Sequence, residues 1–350
     1  MPKNSTIIGP YNNYNEEAYI LLRLVFILLF PLFLTACTDQ TADRRTYILT
    51  TGTTGGTFYP VGVALSTLVT AQQENQFSLT AISSAGSMEN IKLIRDDQAQ
   101  FGLILGIFAA WAWDGEGPIK NPQSHLRSIS AMWPNVEHFV LLSSLVKTGT
   151  MMDLDSLDGD RYIIGARNSG AEQTGFYIFD ALGIDYANKM NIGYMGYGAS
   201  ASAIQDGNIV GMNVPAGPPV TAITQAYAQM GDQITILGFN ELELAAVNQK
   251  NPLWDFYDLA PGTYPYQDEK ITTASSSNVL VVRDDVSEEI VYQLTRMLWE
   301  NLATLQEIHS ATREMSLTDA LRGIAVPLHP GALRYYQEQN IEIPAHLMIQ

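Results

Sequence analysis

Downstream of its N-terminal segment, the chain repeats a short run of β-branched and aromatic residues, a Gly- or Ser-rich loop and an amphipathic stretch. The first repeat predicts a strand over Tyr47–Thr51 and a helix from Pro60, because Val61, Leu65 and Val69 fall on one helical face. Strand–loop–helix repeats are typical of parallel sheets flanked by helices. The pattern therefore predicts an α/β fold.

The pattern restarts after an acidic, polar stretch at Asp153–Asp160, which predicts a boundary between two lobes. A strand over Tyr162–Ala166, a glycine-bearing loop and a helix over 172–182 begin the second lobe. Two later apolar runs, at 234–239 and 278–283, are interpreted as strands that return to the first lobe. A long helix is predicted from residue 285 to about residue 310.

The strongest apolar run, Leu24–Ala36, ends in small residues directly before Cys37, the only cysteine. Its thirteen residues fall short of the ~20 that a membrane-spanning helix needs, and Pro31 interrupts them. An export signal has an apolar region of about this length. Leu34–Cys37 also resembles the bacterial lipobox, in which the thiol is acylated and the chain is cut before it. We expect a signal peptide and a lipidated Cys37; a transmembrane helix and a buried free cysteine are the alternatives.

These patterns predict a lipid-anchored, exported protein with two interleaved lobes. The expected segments are a signal peptide at 1–36, a tether at 37–45, a first lobe at 46–145 and 234–285, a second lobe at 146–233, and C-terminal helices packed on the lobes at 286–350.

Composition and charge limit the classes of protein to which this chain could belong. Hydrophobic residues make up 46% of the chain and charged residues 16%, which argues against disorder over most of its length. A formal net charge of -17 opposes binding to a phosphate backbone, so no nucleic-acid partner is expected. One cysteine and five scattered histidines offer no metal-ligand spacing. The common hydrolase and zinc-protease motifs do not occur, so we expect neither catalytic residues nor a cofactor.

Three polar, glycine-bearing loops each lie between a predicted strand and a predicted helix. Glycines let the backbone approach a ligand closely, and a helix N-terminus can bind a carboxylate or phosphate without a basic side chain. Because the loops follow strand ends, we expect them to converge at one edge of the sheets. The candidate ligand-binding residues are Gly52, Thr53, Thr54, Gly55, Gly56, Thr57 and Tyr59 in the first loop, Ser87 in the second, and Arg167, Asn168, Ser169, Gly170 and Ala171 in the third.

The first loop and Arg167 in the third loop each have a structural alternative. The first loop fits neither a Walker loop nor a dinucleotide fingerprint, and a tight turn with a helix cap would explain its glycines equally well. Arg167 either clamps a carboxylate through two parallel hydrogen bonds or is a solvated arginine at the rim.

Several segments, taken in order, resemble the TAXI family, the extracytoplasmic solute-binding proteins of TRAP transporters. They are Thr51–Pro60, Gly86–Ile94, Ile163–Thr174, the region of Gly207 and Pro215–Pro219, and Arg283–Asn301. The resemblance implies a two-lobed, type II-like periplasmic-binding-protein fold with a ligand cleft between α/β lobes and a helical C-terminal segment. It also implies a small carboxylate ligand, such as glutamate or 2-oxoglutarate, and delivery of that ligand to a membrane permease.

The chain departs from the family at three places, one of which is the pair Phe58 and Tyr59, where the family has two tyrosines. Arg167–Ala171 stands where the family usually has Pro, Gly, Ser, Gly and Thr, and Val210 and Gly211 replace an Asp-Ala pair after Gly207. Two other function classes remain open on this sequence: an exported enzyme, such as a hydrolase, and a sensory or adhesion module that uses the same cleft.

Overall fold

A computed structural model describes residues 45–72 and 77–348. The predicted signal peptide, Cys37 and all of the tether except its last residue lie outside the described residues. Within the described ranges, no helix has both the length and the hydropathy needed to cross a bilayer.

The described residues form strands and helices that alternate along most of the chain. The strands are β1 (Arg45–Thr50), β2 (Phe77–Ile82), β3 (Phe101–Leu105), β4 (Leu126–Val136), β5 (Phe139–Leu142), β6 (Asp160–Ile163), β7 (Met190–Gly193), β8 (Gly211–Asn213), β9 (Ile234–Ile236), β10 (Asp255–Leu259) and β11 (Ile271–Arg283). The helices are α1 (Phe58–Ala71), α2 (Ser87–Arg95), α3 (Gly106–Asp114), α4 (Gly170–Leu182), α5 (Tyr186–Lys189), α6 (Tyr197–Gln205), α7 (Thr221–Met230), α8 (Glu241–Asn248), α9 (Glu288–Glu300), α10 (Leu302–Ile308) and α11 (Pro330–Glu338).

Two mixed sheets form the cores of two lobes. The first sheet has the order β10–β11–β3–β1–β2, and β4 pairs with β11. The second sheet has the order β7–β6–β8–β5–β9. Pairing is parallel from β1 to β2 and β3, and from β6 to β7 and β8, but antiparallel elsewhere. The expectation of parallel sheets is therefore correct only for β1, β2 and β3 in the first sheet and for β6, β7 and β8 in the second.

The helices bury the apolar faces that the sequence predicts. In α1, Val61, Leu65 and Val69 are buried, which confirms the predicted stripe. The predicted helix over 285–310 is instead two helices, α9 and α10, which meet at Asn301. Asp285 pairs with Arg283, at 2.9 Å between carboxylate and guanidinium, and Ser287 precedes α9. Helix α9 packs on α11 and on β4, so the C-terminal helices cover the first sheet.

The strand at 234–236 lies in a different sheet from the one expected. The sequence predicts residues 234–239 in the first lobe, but β9 pairs with β5 in the second sheet. Strand β5 itself falls within the range expected for the first lobe. The chain therefore crosses between the sheets at Glu137 and His138, upstream of the polar stretch that predicted the boundary. The run at 278–283 lies in β11 of the first sheet, as expected.

Candidate functional site

Four helices begin at one cavity between the two lobes. Their first residues, Phe58 of α1, Ser87 of α2, Gly170 of α4 and Tyr197 of α6, all line it. Helices α1 and α2 follow parallel strands of the first sheet, and α4 and α6 follow parallel strands of the second. The amides of a first helical turn have no acceptor within the helix and carry a partial positive charge. The arrangement therefore directs positive potential from both lobes toward one volume.

This interlobe cavity has a volume of about 40 Å³, and none of the described residues that line it is charged. The residues that form it are Gly52, Thr53, Gly56, Thr57, Phe58, Ala85, Gly86, Ser87, Leu105, Asn135, Gly170, Ala171, Tyr197, Pro215 and Ala216. Two polar atoms of this lining are buried without a hydrogen-bond partner among the described residues: the Thr53 hydroxyl oxygen and the Asn135 amide nitrogen. Such atoms are costly unless a ligand or water satisfies them.

The first loop joins the lobes. The Thr57 hydroxyl donates to the carbonyl of Gly217, at 2.6 Å, and that carbonyl belongs to the loop after β8. Gly56 packs against the ring of Tyr197, since a Cβ there would lie 3.2 Å from Cε2 of the ring. A side chain larger than hydrogen would push α6 away from this loop.

The second loop is fixed by a buried amide that the sequence analysis missed. Asn90, in α2, accepts hydrogen bonds from the hydroxyls of Thr50 and Ser84, each at 2.6 Å. Its side-chain nitrogen donates to the carbonyls of Thr51 and Leu103, at 2.6 and 2.7 Å. Asn90 thereby ties the ends of β1 and β3 to the loop after β2. Nothing in the sequence pattern distinguishes it from a solvated helix residue.

The third loop caps α4. The Ser169 side chain accepts the backbone N–H of Glu172, at 3.0 Å, and the Glu172 carboxylate accepts the N–H of Asn168, at 2.6 Å. These bonds fix the start of the helix but use the side chain of Ser169 for capping. Next in the chain, Gly170 faces Ser87 across the cavity, because a Cβ on Gly170 would lie 3.0 Å from the Ser87 hydroxyl oxygen.

Seven of the thirteen candidate residues lie in the cavity lining, and six do not. Those in the lining are Gly52, Thr53, Gly56, Thr57, Ser87, Gly170 and Ala171. Those outside it are Thr54, Gly55, Tyr59, Arg167, Asn168 and Ser169. Arg167 is exposed, and its guanidinium carbon lies 3.8 Å from the centre of the Tyr194 ring. That position matches a rim arginine stacked on an aromatic ring and not a clamp inside the cavity.

Tyr197 is the largest lining residue that sequence analysis missed. Its hydroxyl donates to the carbonyl of Pro215, at 2.9 Å, and so holds a second stretch of the lining in place. Burial, and then the charge of Glu137, raise the pKa of Tyr197 far above its usual range. The signal for this residue was available, because Gly196 and Gly198 flank it in a fourth glycine-bearing loop that follows a strand.

Two titratable residues, Glu137 and His138, occupy the crossing from β4 to β5, and both are fully buried. The Nδ1 atom of His138 lies 2.9 Å from the carbonyl of Val136 and 3.1 Å from that of Val214, so Nδ1 carries the proton. Its Nε2 then accepts the hydroxyl of Tyr264, at 2.7 Å. Burial lowers the pKa of His138 to about 4, which keeps the ring neutral.

No three side chains of His, Cys, Asp or Glu come together as a metal-binding group in the part of the chain that the structure describes.

Comparison with known proteins identifies the family and the fold. Residues 49–339 match the NMT1-like family. The binding protein of an ABC phosphonate transporter from Pseudomonas aeruginosa is 12% identical, with a TM-score of 0.50 over 77% of this chain and 79% of that one. The periplasmic binding protein BugD is 12% identical, with a TM-score of 0.51 over 85% and 94%. MatC from Rhodopseudomonas palustris, solved with bound malate, is 10% identical, with a TM-score of 0.51 over 77% and 89%.

At these identities the likeness concerns the fold, and it confirms the predicted fold class. The chain belongs to the NMT1-like family and has the two-lobed α/β fold of periplasmic binding proteins.

Proposed function

We propose that this chain is the extracytoplasmic receptor of a TRAP-type transporter of the TAXI family, which binds a small organic anion and delivers it to a membrane permease. The ligand is a carboxylate such as glutamate or 2-oxoglutarate, and Cys37 anchors the receptor to the membrane by a lipid in the periplasm. The observation that carries the proposal is the convergence of four helix N-termini on a cavity whose lining has no charged side chain. The bound malate of MatC, a protein of similar fold, agrees with this ligand class.

The cavity suits an anion better than a neutral solute. A helix N-terminus acts as roughly half a positive charge, and its free amides donate hydrogen bonds. The unpartnered hydroxyl of Thr53 and amide nitrogen of Asn135 add donors from the first lobe. The net charge of -17 does not prevent capture, because salt screens distant charges while donors in the cavity act at contact distance.

Binding energy in this arrangement favours closure. A ligand that contacts α1 and α2 on one side and α4 and α6 on the other binds the closed form best, and it shifts the population toward that form. A permease that recognises the closed shape then distinguishes the loaded receptor from the empty one.

A panel of small carboxylates tests the proposal. We expect a dicarboxylate at about one hundred times its Kd to stabilise the native state by about 2.7 kcal/mol, seen as a rise in melting temperature. The matched control is the corresponding diamide, which has the same shape without charge and should leave the melting temperature unchanged. Mass spectrometry of the mixture should recover the carboxylate intact. A new product would support the exported hydrolase, and no stabilisation by any carboxylate would contradict the receptor.

A sensory or adhesion module would differ from a receptor by its partner. Uptake of the ligand by cells that lack the receptor therefore provides the second test. We expect uptake to be lost on deletion of the receptor, and unchanged uptake would contradict delivery to a permease.

A further inference from the structure

Glu137 is a buried carboxyl that the proposed binding mode does not use. It lies where the chain crosses from the first lobe to the second, and its exposed fraction is 0%. Its backbone is well bonded: its N–H donates to the carbonyl of Ala274, at 2.8 Å, and its carbonyl accepts the hydroxyl of Thr273, at 2.9 Å. Neither carboxyl oxygen has a hydrogen-bond partner among the described residues.

Among the residues that the structure describes, no positively charged group compensates this carboxyl. Two tyrosines respond to its charge: Tyr162 of β6, whose hydroxyl is also unpartnered among the described residues, and Tyr197 of α6. The imidazole next to it in the chain, that of His138, is neutral and directed toward Val136, Val214 and Tyr264. From strand β11, the carbonyl of Ala274 and the hydroxyl of Thr273 bond to the backbone of Glu137 and not to its carboxyl group.

An ionised Glu137 would be expensive in this closed arrangement. A buried carboxylate without partners costs several kcal/mol, and a carboxyl in that position stays protonated instead. Burial accordingly raises the pKa of Glu137 to about 8. An anion in the interlobe cavity would add further repulsion, because Tyr197 both lines that cavity and feels the charge of Glu137.

Groups from both lobes surround Glu137: Ala274 and Thr273 belong to the first sheet, and Tyr162 and Tyr197 belong to the second lobe. Tyr197, which lies close enough to feel its charge, packs against Gly55 and Gly56 of the first lobe. Separating the lobes would remove that packing and open the side of the cavity formed by Asn135 and Tyr197 to water. A hydrated carboxyl would then return toward its ordinary ionised state.

We propose that Glu137 takes up a proton when the lobes close on the anionic ligand, so that ligand and proton bind together. This inference rests on the proposed function. Its sign is fixed: the closed form holds the extra proton, so affinity is highest at low pH and falls as pH rises toward the value at which closed Glu137 ionises. Above that value the affinity levels off.

Calorimetric titration with 2-oxoglutarate tests the coupling, since the carboxyl groups of this probe stay ionised throughout the range. At about pH 7, in buffers with different ionisation enthalpies, we expect uptake of about one proton per ligand, and Kd should rise about tenfold per pH unit between about pH 6 and pH 8. The wild-type titration alone is decisive, because binding without proton uptake and with a Kd independent of pH would overturn the proposal while leaving the receptor function intact.

Two substitutions test whether Glu137 is the residue that takes up the proton. Glu137→Gln keeps the shape of a neutral carboxyl, so we expect ligand binding with no proton uptake and a Kd that does not change over the same pH range. The control is Glu241→Gln, which removes one acidic side chain at an exposed position at the start of α8 and should behave as wild type. Proton uptake that persists in Glu137→Gln would place the titrating group elsewhere and contradict the proposal.

Discussion

At the scale of single residues, the two lobes approach closely because a glycine, which has no side chain, lies where they meet. Gly170 faces the first lobe so closely that a Cβ would lie 3.0 Å from both Cδ1 of Leu105 and the hydroxyl oxygen of Ser87. Contacts this short force neighbouring atoms to move. Because Gly170 also begins α4, the displacement would act on the helix amides that face the cavity.

We predict that Gly170→Ala weakens ligand binding. The added methyl group holds the lobes apart, and we expect Kd to rise by about tenfold, or ~1.4 kcal/mol, with little change in the unfolding transition. The control is Gly198→Ala, because Gly198 also lies in the first turn of a second-lobe helix but a Cβ there meets no atom within 4 Å. Equal affinities of the two variants, measured by calorimetry, would show that Gly170 does not limit closure.

Residues of the site differ in how far the sequence reveals them. Gly52, Thr57 and Gly170 could be predicted because a loop that breaks a strand and starts a helix needs small or capping residues, and that need leaves a local pattern. Asn90 and Asn135 left no such pattern, since their roles depend on carbonyls and cavity walls contributed by distant segments. For Arg167, the sequence leaves a carboxylate clamp and a position at the rim both open, and the structure gives it an aromatic partner outside the cavity.

At the scale of elements, one hydrogen-bonded chain connects three segments behind the cavity. Tyr264, in the connection between β10 and β11, donates its hydroxyl to His138 at 2.7 Å and accepts the backbone N–H of Val220 at 3.2 Å. Val220 ends the loop that supplies Pro215 and Ala216 to the cavity. The crossing strand and the cavity loop are therefore positioned by the same phenol.

We predict that Tyr264→Phe destabilises the protein. Loss of the hydroxyl leaves the Nε2 of His138 and the N–H of Val220 buried without partners, which should lower the free energy of unfolding by about 1–3 kcal/mol in urea titrations. Tyr266→Phe is the matched control, because Tyr266 is 66% exposed and should tolerate the same change. Equal stability of the two variants would mean that the hydrogen-bonded chain makes no net contribution to the free energy of unfolding.

Elements were predictable where their own periodicity decides their type. The strand β1 and the helices α1 and α4 lie close to their expected positions because alternating or helical apolar patterns determine them locally. The break between α9 and α10 could not be predicted from periodicity, because the apolar stripe continues past Asn301. The backbone of Asn301, at φ -111° and ψ 20°, nevertheless leaves the helical conformation. The pairing partners of short strands could not be predicted from the sequence either. Strand β9 has three residues, and only its pairing with β5 assigns it to a sheet.

At the scale of the whole molecule, the two lobes are interleaved along the chain, and their contact defines both proposed activities. The segment at Glu137 and His138 carries the chain from the first sheet to the second, beside the loop at 214–220 that helps to line the cavity. Closure brings four helix N-termini to one ligand and, by the coupling proposed above, excludes water from Glu137. Two lobes were predictable from the restart of the strand–loop–helix pattern, but the crossing points depend on long-range strand pairing and were not.

A crystal structure of the protein with the carboxylate that stabilises it most would test the central claim most directly. We predict an intact ligand in the interlobe cavity, with its carboxylate oxygens within about 3.2 Å of backbone N–H groups at the starts of helices from both lobes, near Phe58, Ser87, Gly170 and Tyr197. A carboxylate bound by basic side chains outside this cavity, or contacts to one lobe alone, would contradict the account.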